Sequence, residues 1–350
     1  MRADQPATLK PPQEPGARPA ATAVAHPNIA LIKYWGKRDE QLFLPRTDSL
    51  SMTLDIFPTT TRVRLAPEAE QDAVTLGGLP ATGEAQRRIV AFLDLVRERA
   101  GLSERAVVDT ENTVPTGAGL ASSASGFAAL AVAAAAAYGL TLDATALSRL
   151  ARRGSGSASR SIFGDFAVWH AGTTTGTAAQ ADVSSYAEPV PAAGLDPALV
   201  IAVVNAGPKA ISSRAAMRQT VDTSPLYEPW ARSSTGDLAD MRAALIRGDL
   251  EAVGEIAERN ALGMHATMLA ARPAVRYLSP ATLTVLDSVG QLRRDGIAAY
   301  ATMDAGPNVK VLCRRADAEK VAAVVRGAAP QGSVHIAGPG PGARLLNEGG

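Results

Sequence analysis

The residues able to do chemistry gather in a few short stretches. Pro115-Thr-Gly-Ala-Gly-Leu-Ala-Ser-Ser-Ala-Ser-Gly126 is a glycine-rich turn that runs straight into an alanine-rich segment. Gly117 and Gly119 allow a tight turn and positive φ. Ser122 and Ser123 fall at the start of a helix, where the first N–H groups have no intrahelical partner. Such a start suits an anion, and phosphate is the natural one. The stretch lacks the Lys-Ser/Thr ending of a P-loop and the dinucleotide glycine fingerprint. By itself it also fits a glycine turn that only caps a core helix.

Three further stretches carry charge. Asp304, in Met303-Asp-Ala-Gly-Pro-Asn308, lies between two apolar segments. A carboxylate held in a loop by rigid strands is placed for chemistry. A turn aspartate bonded to its own backbone is the plainer alternative. Arg160 follows the Gly-Ser-Gly-Ser turn of Arg153-Gly-Ser-Gly-Ser-Ala-Ser-Arg-Ser161. Its planar fork matches a carboxylate in two-pronged fashion, though a surface arginine past a turn fits as well. Lys33, Tyr34 and Lys37, in Leu31-Ile-Lys-Tyr-Trp-Gly-Lys37, could clamp a diphosphate, or the lysines could snorkel around a core Trp35. The histidines, His26, His170, His265 and His335, have no metal-ligand spacing. For His265 a satisfied structural role is expected.

These groups need rigid elements to hold them. The chain has 350 residues, of which 46% are hydrophobic and 20% charged, a composition suited to one large or two smaller globular domains. The formal net charge of +1 gives no bulk field for nucleic acid or membrane. A lone cysteine, Cys313, excludes an internal disulfide framework and suits a reducing cytoplasm. Residues 1–21, rich in Pro and Ala, read as a disordered leader without a signal-peptide core. Phe127–Tyr138 is apolar but too short to cross a bilayer.

Apolar patterning predicts an α+β fold. Strands are expected at Thr22–His26, Thr59–Leu65, Val107–Val108 and Phe166–His170, with a hairpin at Val74–Leu76 followed by Gly77-Gly78. Glu84–Arg97 repeats apolar residues at helical spacing, and Asp143 can cap a helix ending before Gly154. The Pro/Ala/Gly run 189–197 marks a boundary. The expected domains are 22–196, with the phosphate loop, and 197–350. In the second, Leu199–Val204 is a strand, Asp237–Arg247 and Leu250–Met268 are helices, and Ser279-Pro280 opens another helix. Ile297–Thr302 and Val309–Cys313 are strands flanking Asp304.

The loop Pro-Thr-Gly-Ala-Gly-Leu-Ala-Ser-Ser-Ala resembles the phosphate loop of the GHMP kinases. Together with Ala25-His-Pro-Asn-Ile-Ala-Leu-Ile-Lys-Tyr-Trp-Gly-Lys-Arg-Asp39, the Arg153–Ser161 stretch and the Asp304 loop, the chain resembles the diphosphomevalonate decarboxylases from about Thr22 to about Cys313. The resemblance implies a GHMP kinase fold: an N-terminal domain like ribosomal protein S5 domain 2, a ferredoxin-like C-terminal domain, and an active site in the cleft between them. It implies ATP-dependent decarboxylation of mevalonate 5-diphosphate to isopentenyl diphosphate, ADP, phosphate and CO₂, through transient 3-phosphorylation. Rivals on the same fold are a phosphomevalonate decarboxylase, a mevalonate 3-kinase and a catalytically silent binding protein.

The same resemblance assigns roles. Asp304 acts on the C3 hydroxyl as acid–base residue, Lys33 keeps it ionised, and Arg160 grips the C1 carboxylate. Tyr34, Lys37, Ser155, Ser157, Ser212, Ser213 and Arg214 contact substrate, and Pro115, Gly117, Gly119, Leu120, Ala121, Ser122 and Ser123 contact ATP. The co-substrate is ATP with Mg²⁺, and no metal site of the protein's own is expected. The expected partners are these small molecules and a second copy of the chain, with no nucleic acid and no membrane. Arg214 and Arg218 stand where other members often have uncharged residues, Arg46 where they usually have a small residue, and Ser159 where they commonly have Cys.

Overall fold

The computed structural model describes residues 20–114, 122–204 and 211–346. In chain order the first lobe contains β1 (Ala20–Ala25), β2 (Asn28–Ile32), β3 (Lys37–Asp39), β4 (Leu44–Pro45), β5 (Ser49–Thr53), β6 (Thr59–Ala66), β7 (Ala73–Leu76), β8 (Leu79–Pro80), α1 (Gly83–Ala100), β9 (Arg105–Asn112), α2 (Ser122–Ala137), α3 (Ala144–Gly154), α4 (Ala158–Ser161), β10 (Phe166–Trp169), α5 (Ala178–Ser184) and β11 (Ala187–Pro189). The second lobe contains β12 (Pro197–Val203), α6 (Ser213–Thr223), α7 (Tyr227–Arg247), α8 (Leu250–Leu269), α9 (Pro280–Arg294), β13 (Ala299–Met303), β14 (Val309–Arg314), α10 (Ala318–Ala328) and β15 (Ser333–Ala337). A last strand, β16 (Arg344–Leu346), returns to the first lobe.

Local signals explain many of these boundaries. The Asp143 carboxylate accepts from Ala146 N–H at 2.7 Å and starts α3. Ser279 and Thr282 form a reciprocal capping box with Pro280 in the first turn of α9. Helices α1 and α7 both end on left-handed glycines, Gly101 and Gly248. Helix α2 is apolar around most of its circumference, so it is buried, packed on β1 and β6 through alanines. No described helix is long and apolar enough to cross a membrane.

The first lobe holds two larger sheets, ordered β16-β1-β6-β9-β7-β8 and β11-β10-β5-β2, and the two-stranded pair β3-β4. The second holds one antiparallel sheet, β13-β14-β12-β15. Along β12 the side chains alternate. Ala198, Val200 and Ala202 pack with α9 and α10, while Leu199, Ile201 and Val203 join the core beneath α7 and α8.

One feature departs from the sequence-based expectations, and two more bear on how the lobes join. Strand β1 begins at Ala20, inside the stretch read as a leader, and Ala20 and Ala21 pair with Arg64 and Val63. The chain passes from one lobe to the other near residue 196, yet the apolar core does not divide there. Ile29, Leu31, Leu50 and Val168 of the first lobe share one cluster with Leu199, Leu238, Met241 and Val253 of the second. After the Gly/Pro run, β16 adds to the edge of β1. A strand this short is stabilised by its neighbour, and its own sequence signals it weakly.

Candidate active site

Asp304 sits in the turn between β13 and β14, tightened by Gly306 N–H donating to the Asp304 carbonyl at 2.7 Å. Its two carboxylate oxygens have separate partners. Lys33 Nζ donates to Oδ1 at 2.8 Å and Lys310 Nζ to Oδ2 at 3.2 Å. Both lysine side chains are almost fully buried, while Asp304 is about one-third exposed, 33%, so the carboxylate alone opens outward. Lys33 stands at the end of β2. Its Nζ also donates to the Ala30 carbonyl at 2.7 Å, and its backbone N–H donates to Asn260 Oδ1 of α8 at 2.8 Å. Asn260 is in turn fixed by donating to Ser234 and Asp237 of α7, both at 2.9 Å.

Burial works to raise the Asp304 carboxyl, but the Lys33 and Lys310 ammonium groups outweigh it and hold the acid well below the usual carboxylate range. Burial lowers Lys33, and Asp304 offsets part of that. His265 of α8 is buried nearby. Burial first, then the Lys33 charge, pushes it down to about 4. The imidazole is therefore neutral at pH 7. The ring is hydrogen-bonded to the backbone at Met303 and Asp304, while its Nε2 has no partner among the described residues.

Arg160 lies in the one-turn helix α4 and is only 2% exposed, which excludes the surface-arginine reading. Its Nε donates to Ser51 Oγ at 2.9 Å, Nη1 to Ser49 Oγ at 2.5 Å, and Nη2 to Asn28 Oδ1 at 3.3 Å. Asn28 Nδ2 ties the same region down by donating to the Ser157 carbonyl at 3.0 Å and Ser161 Oγ at 2.8 Å. The guanidinium also lies 5.8 Å from the centre of the Trp169 ring. Among the described residues no carboxylate is within ion-pair distance of Arg160, whose neighbours are neutral oxygens. Burial lowers it to about 10, partly offset by Asp304. A buried guanidinium without a counter-ion favours an incoming anion.

Serines from two helix starts meet nearby. Ser122 opens α2, and Ser123 Oγ is 3.3 Å from Ser155 Oγ, which is 3.4 Å from Ser157 Oγ. Beside them is a cavity of about 330 Å³ lined by Thr59, Thr110, Asn112, Ser122, Ser123 and Phe127, among others. Pro115, Gly117, Gly119, Leu120 and Ala121 lie outside the described residues.

Other sequence candidates lie around this centre with partners of their own. Tyr34 packs edge-on against Trp169, ring centres 4.8 Å apart, and its buried hydroxyl has no hydrogen-bond partner among the described residues. A Cβ at Gly156 would come within 2.7 Å of Trp169 and 3.1 Å of the Tyr34 hydroxyl, so only glycine fits that approach. Lys37 is turned to Glu40 at 2.5 Å and lies 4.6 Å from the Phe43 ring centre. Ser212 caps α6 by accepting from Ala215 N–H at 3.2 Å, and Ser213 is the first residue of that helix. Arg214 spans from α6 to Glu84 of α1 at 2.9 Å, joining the lobes. Arg46 donates to Glu228 at 3.2 Å.

The structure thus brings Asp304 against Lys33, and Ser123 against Ser155, which in turn meets Ser157. It shows Lys37 and Arg214 held by nearby acids. Sequence reasoning missed Lys310, Asn28, Ser49 and Ser51. The two serines are legible in hindsight, because Ser49 and Ser51 alternate and so share one face of a strand.

Two lobes, one closed over an alanine-rich helix behind a serine-bearing start and one antiparallel with helices on both faces, form the GHMP kinase architecture, with the site between them. Family models narrow the class. The model described as diphosphomevalonate decarboxylase-like N-terminal domain matches residues 25–183, and the mevalonate 5-diphosphate decarboxylase C-terminal domain matches residues 199–337. A human diphosphomevalonate decarboxylase is 37% identical over 335 residues, covering 89% of this chain and 81% of that protein. A phosphomevalonate decarboxylase of Haloferax volcanii is 34% identical over 292 residues, covering 83% of this chain and 87% of its own. A solved structure described as MDDEF in complex with MVAPP, AMPPCP and magnesium aligns at TM-score 0.88 and 44% identity, over 95% of this chain and all of that one, 100%. The chain belongs to the diphosphomevalonate decarboxylase family.

Proposed function

We propose that this protein catalyses the ATP-dependent decarboxylation of mevalonate 5-diphosphate to isopentenyl diphosphate, ADP, phosphate and CO₂. One observation carries the reading. A clamped, ionised Asp304 and a buried Arg160 with no counter-ion among the described residues lie close enough to feel each other's charge. The reaction needs one group for a hydroxyl and another for a neighbouring carboxylate.

In this reading the three fragments divide the work. The α2 start, with Ser122, Ser123 and the loop before it, cradles the ATP phosphates. Asp304 aligns the C3 hydroxyl for attack on the γ-phosphorus and accepts its proton. The P–O bond to ADP breaks as the bond to the C3 oxygen forms. The tertiary phosphate then leaves with its electron pair. The C1–C2 bond supplies the pair that forms the alkene, and CO₂ departs. Arg160 holds the C1 carboxylate in line for that loss, and Ser49, Ser51 and Asn28 hold Arg160. Tyr34, Lys37, Ser155, Ser157, Ser212, Ser213 and Arg214 are assigned to the substrate. For Lys37 and Arg214 this requires exchanging Glu40 and Glu84 for phosphate oxygens. Mg²⁺ arrives with ATP, whose phosphate oxygens are the hard ligands it prefers. A homodimer working in the cytoplasm completes the reading. The buried, unpaired Cys313 fits a reducing compartment, and sedimentation would test the dimer.

The Haloferax volcanii relative supports a second reading, the same chemistry on the 5-monophosphate. One coupled assay decides. ADP and CO₂ are measured with mevalonate 5-diphosphate and with 5-phosphate. Higher kcat/KM for the diphosphate, with one CO₂ per ADP, is expected. ADP without CO₂ would make the protein a 3-kinase, and no ADP with either would leave a binding protein.

A further inference from the structure

Asp304 is held by two ammonium groups, and only one of them follows from the motif that contains Lys33. The second, Lys310, projects from β14, six residues after Asp304 on the far side of the turn. Its side chain is 1% exposed. Burying a lysine is costly unless its charge is compensated. One partner here is Asp304 Oδ2, at 3.2 Å.

The geometry points to a role for both ammonium groups. A carboxylate with one partner can rotate about its Cβ–Cγ bond. With Lys33 at Oδ1 and Lys310 at Oδ2, from strands in different lobes, both oxygens are pinned. We propose that Lys310 is a positioning residue for the reaction. By occupying Oδ2 it fixes the carboxylate plane, so that Asp304 meets the substrate hydroxyl in one orientation. This rests on the functional reading above and extends it to a residue outside the four motifs.

Among the described residues, the charged and titratable groups around Asp304 are Lys33 just past β2, Lys310 from β14, His265 from α8 and, further off, Arg160 from α4. His265 is neutral. The three cations exceed the single carboxylate by two charges, which suits a site that must receive a carboxylate and a transferring phosphate. Removing Lys310 would still leave Lys33 and Arg160 to attract the anions. Ground-state binding should therefore survive, and the loss should appear in turnover.

The test is a set of variants with kcat and KM measured separately. Lys310→Met should lower kcat about 10–100-fold, while KM for mevalonate 5-diphosphate stays within about threefold. Lys310→Arg, which can still reach Oδ2, should recover most of the loss. In an Asp304→Asn background Lys310→Met should cost less than about threefold, since there is no carboxylate left to orient. An equal fold-loss in both backgrounds, or a raised KM with kcat intact, overturns the proposal. Circular dichroism and melting of each variant exclude unfolding as the cause. Should the wild-type protein release neither ADP nor CO₂, the functional reading fails by itself. The ¹³C resonance of the Asp304 carboxyl then decides about Lys310 without turnover. Loss of the cation should raise the titration midpoint by about one to three units, and an unmoved midpoint overturns the proposal.

Discussion

The unpartnered hydroxyl of Tyr34 gives a prediction in which stability and binding move in opposite directions. The phenol is buried, edge-on to Trp169, with no hydrogen-bond partner for its oxygen among the described residues. Burial raises its pKa further above neutrality, so it remains a donor at pH 7. A buried polar group left unsatisfied costs about 1–3 kcal/mol. Tyr34→Phe removes that cost and keeps the ring. The ligand-free protein should gain about 1 kcal/mol and melt about 2 °C higher. With substrate the sign reverses. A hydrogen bond to a charged phosphate is worth about 1.5–3 kcal/mol, so the variant should bind mevalonate 5-diphosphate about 10–150-fold more weakly. Melting without ligand and calorimetric titration with substrate give the two numbers. A variant that melts lower and binds as well as wild type would refute the reasoning, because the hydroxyl would then be structural.

Three further outcomes are expected. Asp304→Asn should fold and bind both substrates but lose about 10²–10⁴ in kcat; turnover within about tenfold of wild type would remove Asp304 from the mechanism. Arg160→Lys keeps the charge, but one ammonium cannot reproduce the fork that reaches Ser49, Ser51 and Asn28, so kcat/KM should fall at least about tenfold, and an unimpaired variant would show that the fork does not matter. The folded pKa of His265 is lowered, to about 4 from 6.5, chiefly by burial. Between those values the unfolded chain binds the extra proton, so its contribution is fully present above about pH 6.5 and is lost as pH falls towards 4. That amounts to about 3 kcal/mol. Urea unfolding at pH 5 and pH 7 should show a smaller pH difference for His265→Leu than for wild type, and an unchanged difference would assign the slope to other groups.

Much of the frame was legible locally. Asp143 and Ser279 announce helix starts through the hydrogen bonds their own side chains make three residues on. The two apolar runs around Asp304 announce a strand, turn and strand, because alternation and turn chemistry are short-range properties. Ser122 at the start of an alanine helix is likewise a local fact. The tertiary structure alone decided who meets whom. Lys33 and Asp304 are 271 positions apart in sequence, and Arg160 is 109 and 111 positions from the two serines it binds. Those meetings depend on the register of β5 against β10 and of β13 against β14, and on the shared core that sets the two lobes against each other. The pairing of Lys37 with Glu40 is close in sequence, but choosing an acid over open solvent depends on burial that a motif does not encode. Lys310 is the clearest case. In sequence it is one polar residue in an apolar strand, and only packing turns it into the second hand on Asp304.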